Sequence, residues 1–226
     1  MSDTIIWEDN ETPVAVRFDD PYYSKKDGRA ETRHVFIDGN QLPDRFAACT
    51  HFHVAELGFG TALNFLETVQ TWQRHAPKDA ELIYTSFELY PLSKQDMTRA
   101  LKPWPDLLAL ATPFLEKLNV QSGINEINQD NVTIRLVIGD ANDTVSQTIE
   151  PVDAWHLDGF SPAKNPELWN HALMQSVGQR TNTRGTFATY TAAGWVRRML
   201  DEAGFEVERI KGFGTKRHMS VGTKRS

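Results

Sequence analysis

The chain has 226 residues, a formal net charge of −6 and an ordinary 40% hydrophobic content, which suits one α/β domain with modest insertions and counts against a surface that is basic all over. No apolar run approaches the roughly 20 residues needed to cross a bilayer, and Met1 to Glu8 carry neither the basic nor the apolar region of an export signal, so the cytoplasm is the expected location. The single cysteine, Cys49, excludes an internal disulfide and a multi-cysteine zinc site, and its alanine neighbours mark it as a small core residue rather than a reactive thiol.

In chain order, residues 1–50 read as a β-rich extension. Their short apolar stretches are broken by Asp19-Asp20-Pro21, Lys26-Asp27-Gly28 and Asp38-Gly39-Asn40, all turn formers. From residue 51 to 226 strands alternate with helices, the mark of a mainly parallel sheet covered on both faces. Strand 51–57 turns through Gly58-Phe59-Gly60 into a helix from Thr61, its expected N-cap, to about Arg74. Strand 82–87 closes on Glu88 and is followed by helices near 93–101 and 105–118. Strand 132–138 ends in Gly139-Asp140. Strand 154–157 ends in Asp158-Gly159-Phe160-Ser161-Pro162. A helix near 166–179, strand 186–190, helix 193–203 and a closing pair, 205–210 with 218–222, complete the order. Trp195, among Val196, Met199 and Leu200, is expected in the core.

The chemistry gathers at strand ends, where ligands of open parallel sheets bind. Gly58 and Gly60 let backbone approach a ligand closely, although a tight turn alone asks for glycine. Glu88 can accept hydrogen bonds from both hydroxyls of a ribose, or be a solvated strand-end charge. Asp140 can accept from an adenine amino group, cap the helix starting at Ala141, or do both. Asp158 enters a Gly- and Pro-shaped loop in the central crevice. Three strand-end carboxylates after one glycine turn favour an adenosine-containing cofactor. The third glycine of the dinucleotide pattern is missing, with Leu63 in its place, and no Gly-Lys-Ser/Thr follows, which weakens the NAD and P-loop readings. Tyr190 can stack on a base or pack in the core. The last sixteen residues hold five Lys and Arg and no acid. Lys216, Arg217 and His218 there can meet phosphates or be a solvated basic hairpin. His51 and His53 share a strand face by their spacing, with no further ligand cluster to make a metal site.

Glu56-Leu57-Gly58-Phe59-Gly60-Thr61-x-Leu63-Asn64-Phe65, the segment from Asp158 to Trp169, and Gly212-Phe213-Gly214-x-Lys216-Arg217-x-Met219 resemble the methyltransferase part of the MnmC tRNA wobble-uridine modification family. Segments 18–24 and 31–36 are also similar, so the resemblance covers essentially the whole chain. It implies a Rossmann-like class I fold with a seven-stranded sheet and a terminal antiparallel hairpin. It implies S-adenosyl-L-methionine as cofactor, held by Glu56, Gly58, Phe59, Gly60, Thr61, Asn64, Glu88, Asp140, Ala141 and Asp158. The implied activity is methylation of the exocyclic amine of 5-aminomethyl-(2-thio)uridine in tRNA. Asp158 is then the catalytic residue, and Phe160, Pro162, Tyr190, Lys216 and Arg217 meet the substrate. The flavin-dependent part of that family is absent here, as in a stand-alone, MnmD-like form. Ala62 stands where relatives often carry glycine, a methyl group that a helix's first turn tolerates. A small-molecule or protein amine acceptor, a NAD-type oxidoreductase and a non-catalytic binding module stay open as rivals. Oligomeric state is open too, a monomer being compatible with the sequence.

Overall fold

The computed structural model describes residues 4–8, 11–147 and 150–226; Met1 to Asp3, where the N-terminal reading begins, lie outside them. The chain starts with three short strands, β1 (Ile5–Trp7), β2 (Pro13–Ala15) and β3 (Asp20–Pro21), paired antiparallel as a small separate sheet. Strands were expected to continue to residue 50, but after Pro21 the regular elements up to Ala47 are helices. α1 (Gly28–Thr32) is capped by the Asp27 side chain, a π-helical turn spans Arg33–Asp38, and α2 follows at Leu42–Ala47. The Lys26-Asp27-Gly28 turn signal therefore starts a helix, because Asp27 accepts the Ala30 N–H at 2.9 Å.

The alternation then proceeds through β4 (His51–Leu57), α3 (Leu63–His75), β5 (Glu81–Glu88), α4 (Lys94–Leu101), α5 (Pro105–Lys117), β6 (Gly123–Gln129), β7 (Val132–Ile138), α6 (Ala141–Thr144) and β8 (Val152–Leu157). It ends with α7 (His171–Gln179), β9 (Thr181–Thr189), α8 (Gly194–Glu202), β10 (Phe205–Lys211) and β11 (His218–Lys224). The sheet order is β10-β11-β9-β8-β4-β5-β7-β6. The five central strands are parallel; β6 at one edge and β11, between β9 and the edge strand β10, run against them, and β10 pairs antiparallel with β11. The sheet thus has eight strands, one more than expected. The eighth, β6, escapes a hydrophobicity reading because only Ile127 among its residues is buried. β4, by contrast, is buried from Phe52 to Leu57, as a central parallel strand covered on both faces must be.

Two large apolar clusters flank the sheet, with a smaller third formed by Val35, Phe36, Ala188 and Met219. Phe46, Phe52, Trp72, Tyr84 and Phe114 belong to the one beneath α2, α3 and α5; Trp155, Trp169, Phe187 and Phe205 belong to the other, beneath α7 and α8. Cys49 is half-buried against the first cluster, and burial pushes its thiol pKa up, which keeps it unreactive. His53 is fully buried and hydrogen-bonded, Nδ1 to the Pro151 carbonyl at 3.1 Å and Nε2 to Thr85 Oγ1 at 2.9 Å, while His51 is exposed. Trp195 lies on the surface rather than in the core, since the buried stripe of α8 is Val196 and Leu200. No helix among the described residues is long and apolar enough to cross a membrane.

Candidate active site

The chain leaves β4 in one direction towards β5 and the other side of β4 is taken by β8, so the sheet's switch point lies between β4 and β8. A cavity of about 780 Å³ opens there, within the usual range for small-molecule sites. Gly58, Phe59, Gly60, Thr61, Asn64, Glu88, Asp140, Ala141, Asp158, Phe160, Tyr190 and Lys216 line it. Three expected site residues do not. Glu56 is buried beneath the lining, Pro162 is buried outside it, and Arg217 is exposed on the β10–β11 hairpin.

The glycine turn is shaped by contact. Gly58 has φ of +89°, and a Cβ on it would sit 2.7 Å from the Asp158 carbonyl oxygen, so only glycine lets the β4 and β8 ends meet. Thr61 was expected to cap α3, but the helix starts later and Ala62 occupies the cap position, with φ of +69° and no side-chain cap bond. A left-handed conformation is what glycine adopts without strain, which makes Ala62 a strained residue rather than a tolerated one.

Glu88 is a built element of this turn. Its Oε2 accepts the N–H groups of Phe59 and Gly60 at 3.0 and 3.1 Å, and its Oε1 accepts that of Tyr90 at 2.7 Å. The carboxylate is therefore fixed at the cavity wall. Asp140 caps α6 through the Asn142 N–H at 2.9 Å while lining the same cavity.

A buried polar chain runs under the floor. One amide nitrogen, Asn64 Nδ2, donates to Asp158 Oδ2 at 2.6 Å and to Glu56 Oε1 at 2.9 Å. Ser86 Oγ donates to the other Glu56 oxygen at 2.7 Å, and Thr32 Oγ1 donates to Asn64 Oδ1 at 2.8 Å. Burial pushes the Glu56 carboxyl up to about 8, with the nearby Asp158 charge adding to the shift. Burial also pushes Asp158 up to about 7, and the Asn64 hydrogen bond restrains the rise. A carboxyl that changes protonation near neutrality, inside a cavity, is suited to accept a proton.

The upper wall comes from parts far apart in sequence. Phe18 stacks on Phe160 with centroids 4.7 Å apart, and Tyr22 meets Phe160 edge-on at 5.1 Å. Arg17 lies over the Tyr90 ring at 4.4 Å. Asp20 Oδ2 accepts the Ser161 N–H at 2.8 Å, latching the N-terminal segment to the loop after β8. Tyr190 donates to the Gly159 carbonyl at 2.7 Å, and Lys216 sits over its ring at 4.4 Å while pairing with Glu31 at 2.9 Å. Reading the residues one by one missed Phe18, Tyr22, Tyr90 and Glu31 as wall residues and Asn64 as a bridge. For Phe18, Tyr22, Glu31 and Asn64 the signal was the pair of similar segments at 18–24 and 31–36, together with the asparagine after the glycine turn; Tyr90 had none.

A mainly parallel sheet whose switch point opens onto three strand-end carboxylates is the architecture of an α/β protein that binds a nucleoside-containing ligand. The groups present are compatible with such a ligand: the Glu88 and Asp140 carboxylates supply hydrogen-bond acceptors at the cavity, and the glycine turn leaves no side chain between backbone and ligand. Residues 109–225 match the family described as S-adenosyl-L-methionine-dependent methyltransferase, and the chain belongs to that family. It is 44% identical over 216 residues to the tRNA 5-methylaminomethyl-2-thiouridine biosynthesis bifunctional protein MnmC of Pseudomonas fluorescens, covering 93% of this chain and 33% of that protein. It is 41% identical to the protein of the same name from Marinomonas sp., covering 98% of this chain and 34% of that one. The chain thus spans about a third of the length of these relatives. Among solved structures, MNMC2 from Aquifex aeolicus superposes with a TM-score of 0.78 at 21% identity, over 98% of this chain and 70% of the other. Spermidine synthase from Thermotoga maritima does so with 0.59 at 13%, over 98% and 71%. These two likenesses establish the fold: Rossmann-like, mostly parallel, with an antiparallel hairpin.

Proposed function

We propose that this enzyme methylates the exocyclic amine of 5-aminomethyl-(2-thio)uridine at the wobble position of tRNA, in the cytoplasm. The observation that carries the proposal is Asp158, a carboxyl pushed up to about 7 at the end of β8, bonded to Asn64 and facing a cavity walled by aromatic rings. The names of the relatives, which point to methylaminomethyl-thiouridine biosynthesis in tRNA, support the choice of acceptor.

S-adenosyl-L-methionine, when bound, supplies a methyl group on a positively charged sulfur. Glu88 and Asp140, with the Gly58–Gly60 turn, hold the adenosine end. An alkylammonium has no lone pair and cannot attack, so the acceptor must give up a proton first. Asp158 accepts a hydrogen bond from that nitrogen, orients it and takes the proton, because its own pKa lies where it is partly ionised at neutral pH. Asn64 keeps Oδ2 turned and satisfied, which leaves the other carboxylate oxygen for substrate. The Phe18–Phe160 stack and the Tyr22 and Tyr190 rings offer π-faces to a flipped base and exclude water from the reacting groups. Much of the remaining acceleration comes from alignment.

Asp158→Asn tests this role. It keeps the shape and removes the proton acceptor, so turnover should fall by about 10²- to 10⁴-fold with cofactor affinity retained. Unchanged turnover with intact cofactor binding would remove Asp158 from the reaction.

A further inference from the structure

The chain carries a net charge of −6, yet the proposed acceptor is a polyanion, so cations must be concentrated somewhere near the cavity. We propose that Arg197, Arg209 and Arg217, gathered around His218 beside the exposed ring of Trp195, form a shelf for the phosphodiester backbone next to the modified nucleotide, continuing outward from Lys216 at the cavity wall. The inference rests on the reading of tRNA as acceptor and adds where the strand lies.

Four observations converge on this face. The β10–β11 register sets Lys211 opposite His218 and Arg209 opposite Ser220, and residues two apart on a strand share a side, so Arg209, Lys211 and His218 project together. Ser220 Oγ donates to the Thr191 carbonyl at 2.8 Å, tying the same face to the segment that leads into α8. α8 contributes Arg197, whose buried Nε has no hydrogen-bond partner. Partial burial, and then the charges of Arg209, Arg217 and Arg197, lower the pKa of His218, so all three guanidiniums lie close to its ring.

Among the described residues, none of Arg197, Arg209 and Arg217 forms an ion pair, whereas the acids at the far end of α8 are engaged, Asp201 by Arg225 and Glu202 by His171. Guanidiniums suit phosphate because their donor fork matches its oxygens. Trp195 is 39% exposed at the first turn of α8, an indole face open to an unstacked base. Cations for the backbone and a ring for a neighbouring base are the two elements that recur in proteins holding single-stranded RNA.

The test measures binding of tRNA carrying aminomethyluridine over a salt series, for wild type, Arg209→Ala/Arg217→Ala, Arg209→Lys/Arg217→Lys and Trp195→Ala. The double alanine variant should bind about tenfold more weakly at physiological salt, and its slope of log affinity against log salt should flatten by about 1.4, roughly 0.7 for each lost single-strand phosphate contact. The lysine variant should keep the wild-type slope, and Trp195→Ala should lose affinity with no change of slope. S-adenosyl-L-methionine affinity should be the same in all four. Unchanged affinity and slope in the double alanine variant, or weaker binding with an unchanged slope, would overturn the shelf. Failure of the wild type itself to methylate the tRNA would overturn the acceptor reading and the shelf with it. Methylation by a wild type whose binding the alanine pair does not alter would overturn the shelf alone.

Discussion

Replacing Asn64 with alanine should raise the pH at which the enzyme becomes active. Asn64 holds Asp158 Oδ2 at 2.6 Å and Glu56 Oε1 at 2.9 Å through one amide group and accepts from Thr32 at 2.8 Å. A hydrogen bond to a charged group is worth about 1.5–3 kcal/mol, and about 1.36 kcal/mol corresponds to one pKa unit, so removing the bond raises the acceptor's pKa by about one to two units. The sign follows from the causes of the shift: burial lifts Asp158 to about 7 and the Asn64 bond opposes it. Its loss therefore moves the acid limb of the pH–rate profile from near 7 to about 8–9. Three buried groups also lose a partner, at about 1–3 kcal/mol each, so stability falls by about 3–9 kcal/mol. A domain of ordinary stability, about 5–15 kcal/mol, survives the lower half of that range. The assay is kcat/KM for tRNA between pH 6 and about 10 at saturating cofactor, which reports ionisations of the enzyme before tRNA binds. Urea unfolding gives the stability change in parallel. An acid limb that stays at the wild-type pH, with the protein folded, would refute the view that Asn64 tunes the carboxyl that takes the proton.

Glu56→Gln should flatten the pH dependence of stability. Burial holds this carboxyl at about 8 when folded against a usual 4.5. The folded state therefore retains a proton that the unfolded chain releases, and the stability present below about 4.5 is lost as pH rises towards 8, by an upper bound of about 5 kcal/mol. Urea midpoints at pH 5 and 8 should differ less in the variant than in wild type, and equal differences would contradict the assignment. Within the glycine turn two opposite exchanges should have opposite signs. Gly58→Ala brings a methyl group to 2.7 Å from the Asp158 carbonyl at φ of +89° and should lower both stability and cofactor affinity, whereas Ala62→Gly relieves a residue at +69° and should stabilise by about 1 kcal/mol. Thermal unfolding of both variants checks the pair.

The elements that were legible in the sequence are those whose burial writes a local pattern. β4 shows a continuous apolar run and β7 an apolar run ending in Gly139-Asp140, and both stand as expected, as do the strand-end positions of Glu88, Asp140 and Asp158 at one cavity. β6 left no such trace, because an edge strand with one buried side chain is held by backbone pairing with β7 rather than by its own hydrophobicity. Trp195 was misplaced since its apolar neighbours sit on a different side of α8. The cavity roof was illegible for another reason. Asp20 and Ser161 meet across 141 residues of sequence, and no local pattern at Phe18 or Tyr22 reports a contact that only the closed fold creates. The role of Asn64 was hidden likewise, because one amide joining two carboxyls from β4 and the end of β8 depends on strands being neighbours in the sheet.

The most direct test is transfer of labelled methyl from S-adenosyl-L-methionine to bulk tRNA carrying aminomethyluridine, followed by nucleoside analysis of the product. The account predicts label in methylaminomethyluridine and its loss in Asp158→Asn. A wild-type protein that binds S-adenosyl-L-methionine but leaves the aminomethyl nucleoside unlabelled would contradict it.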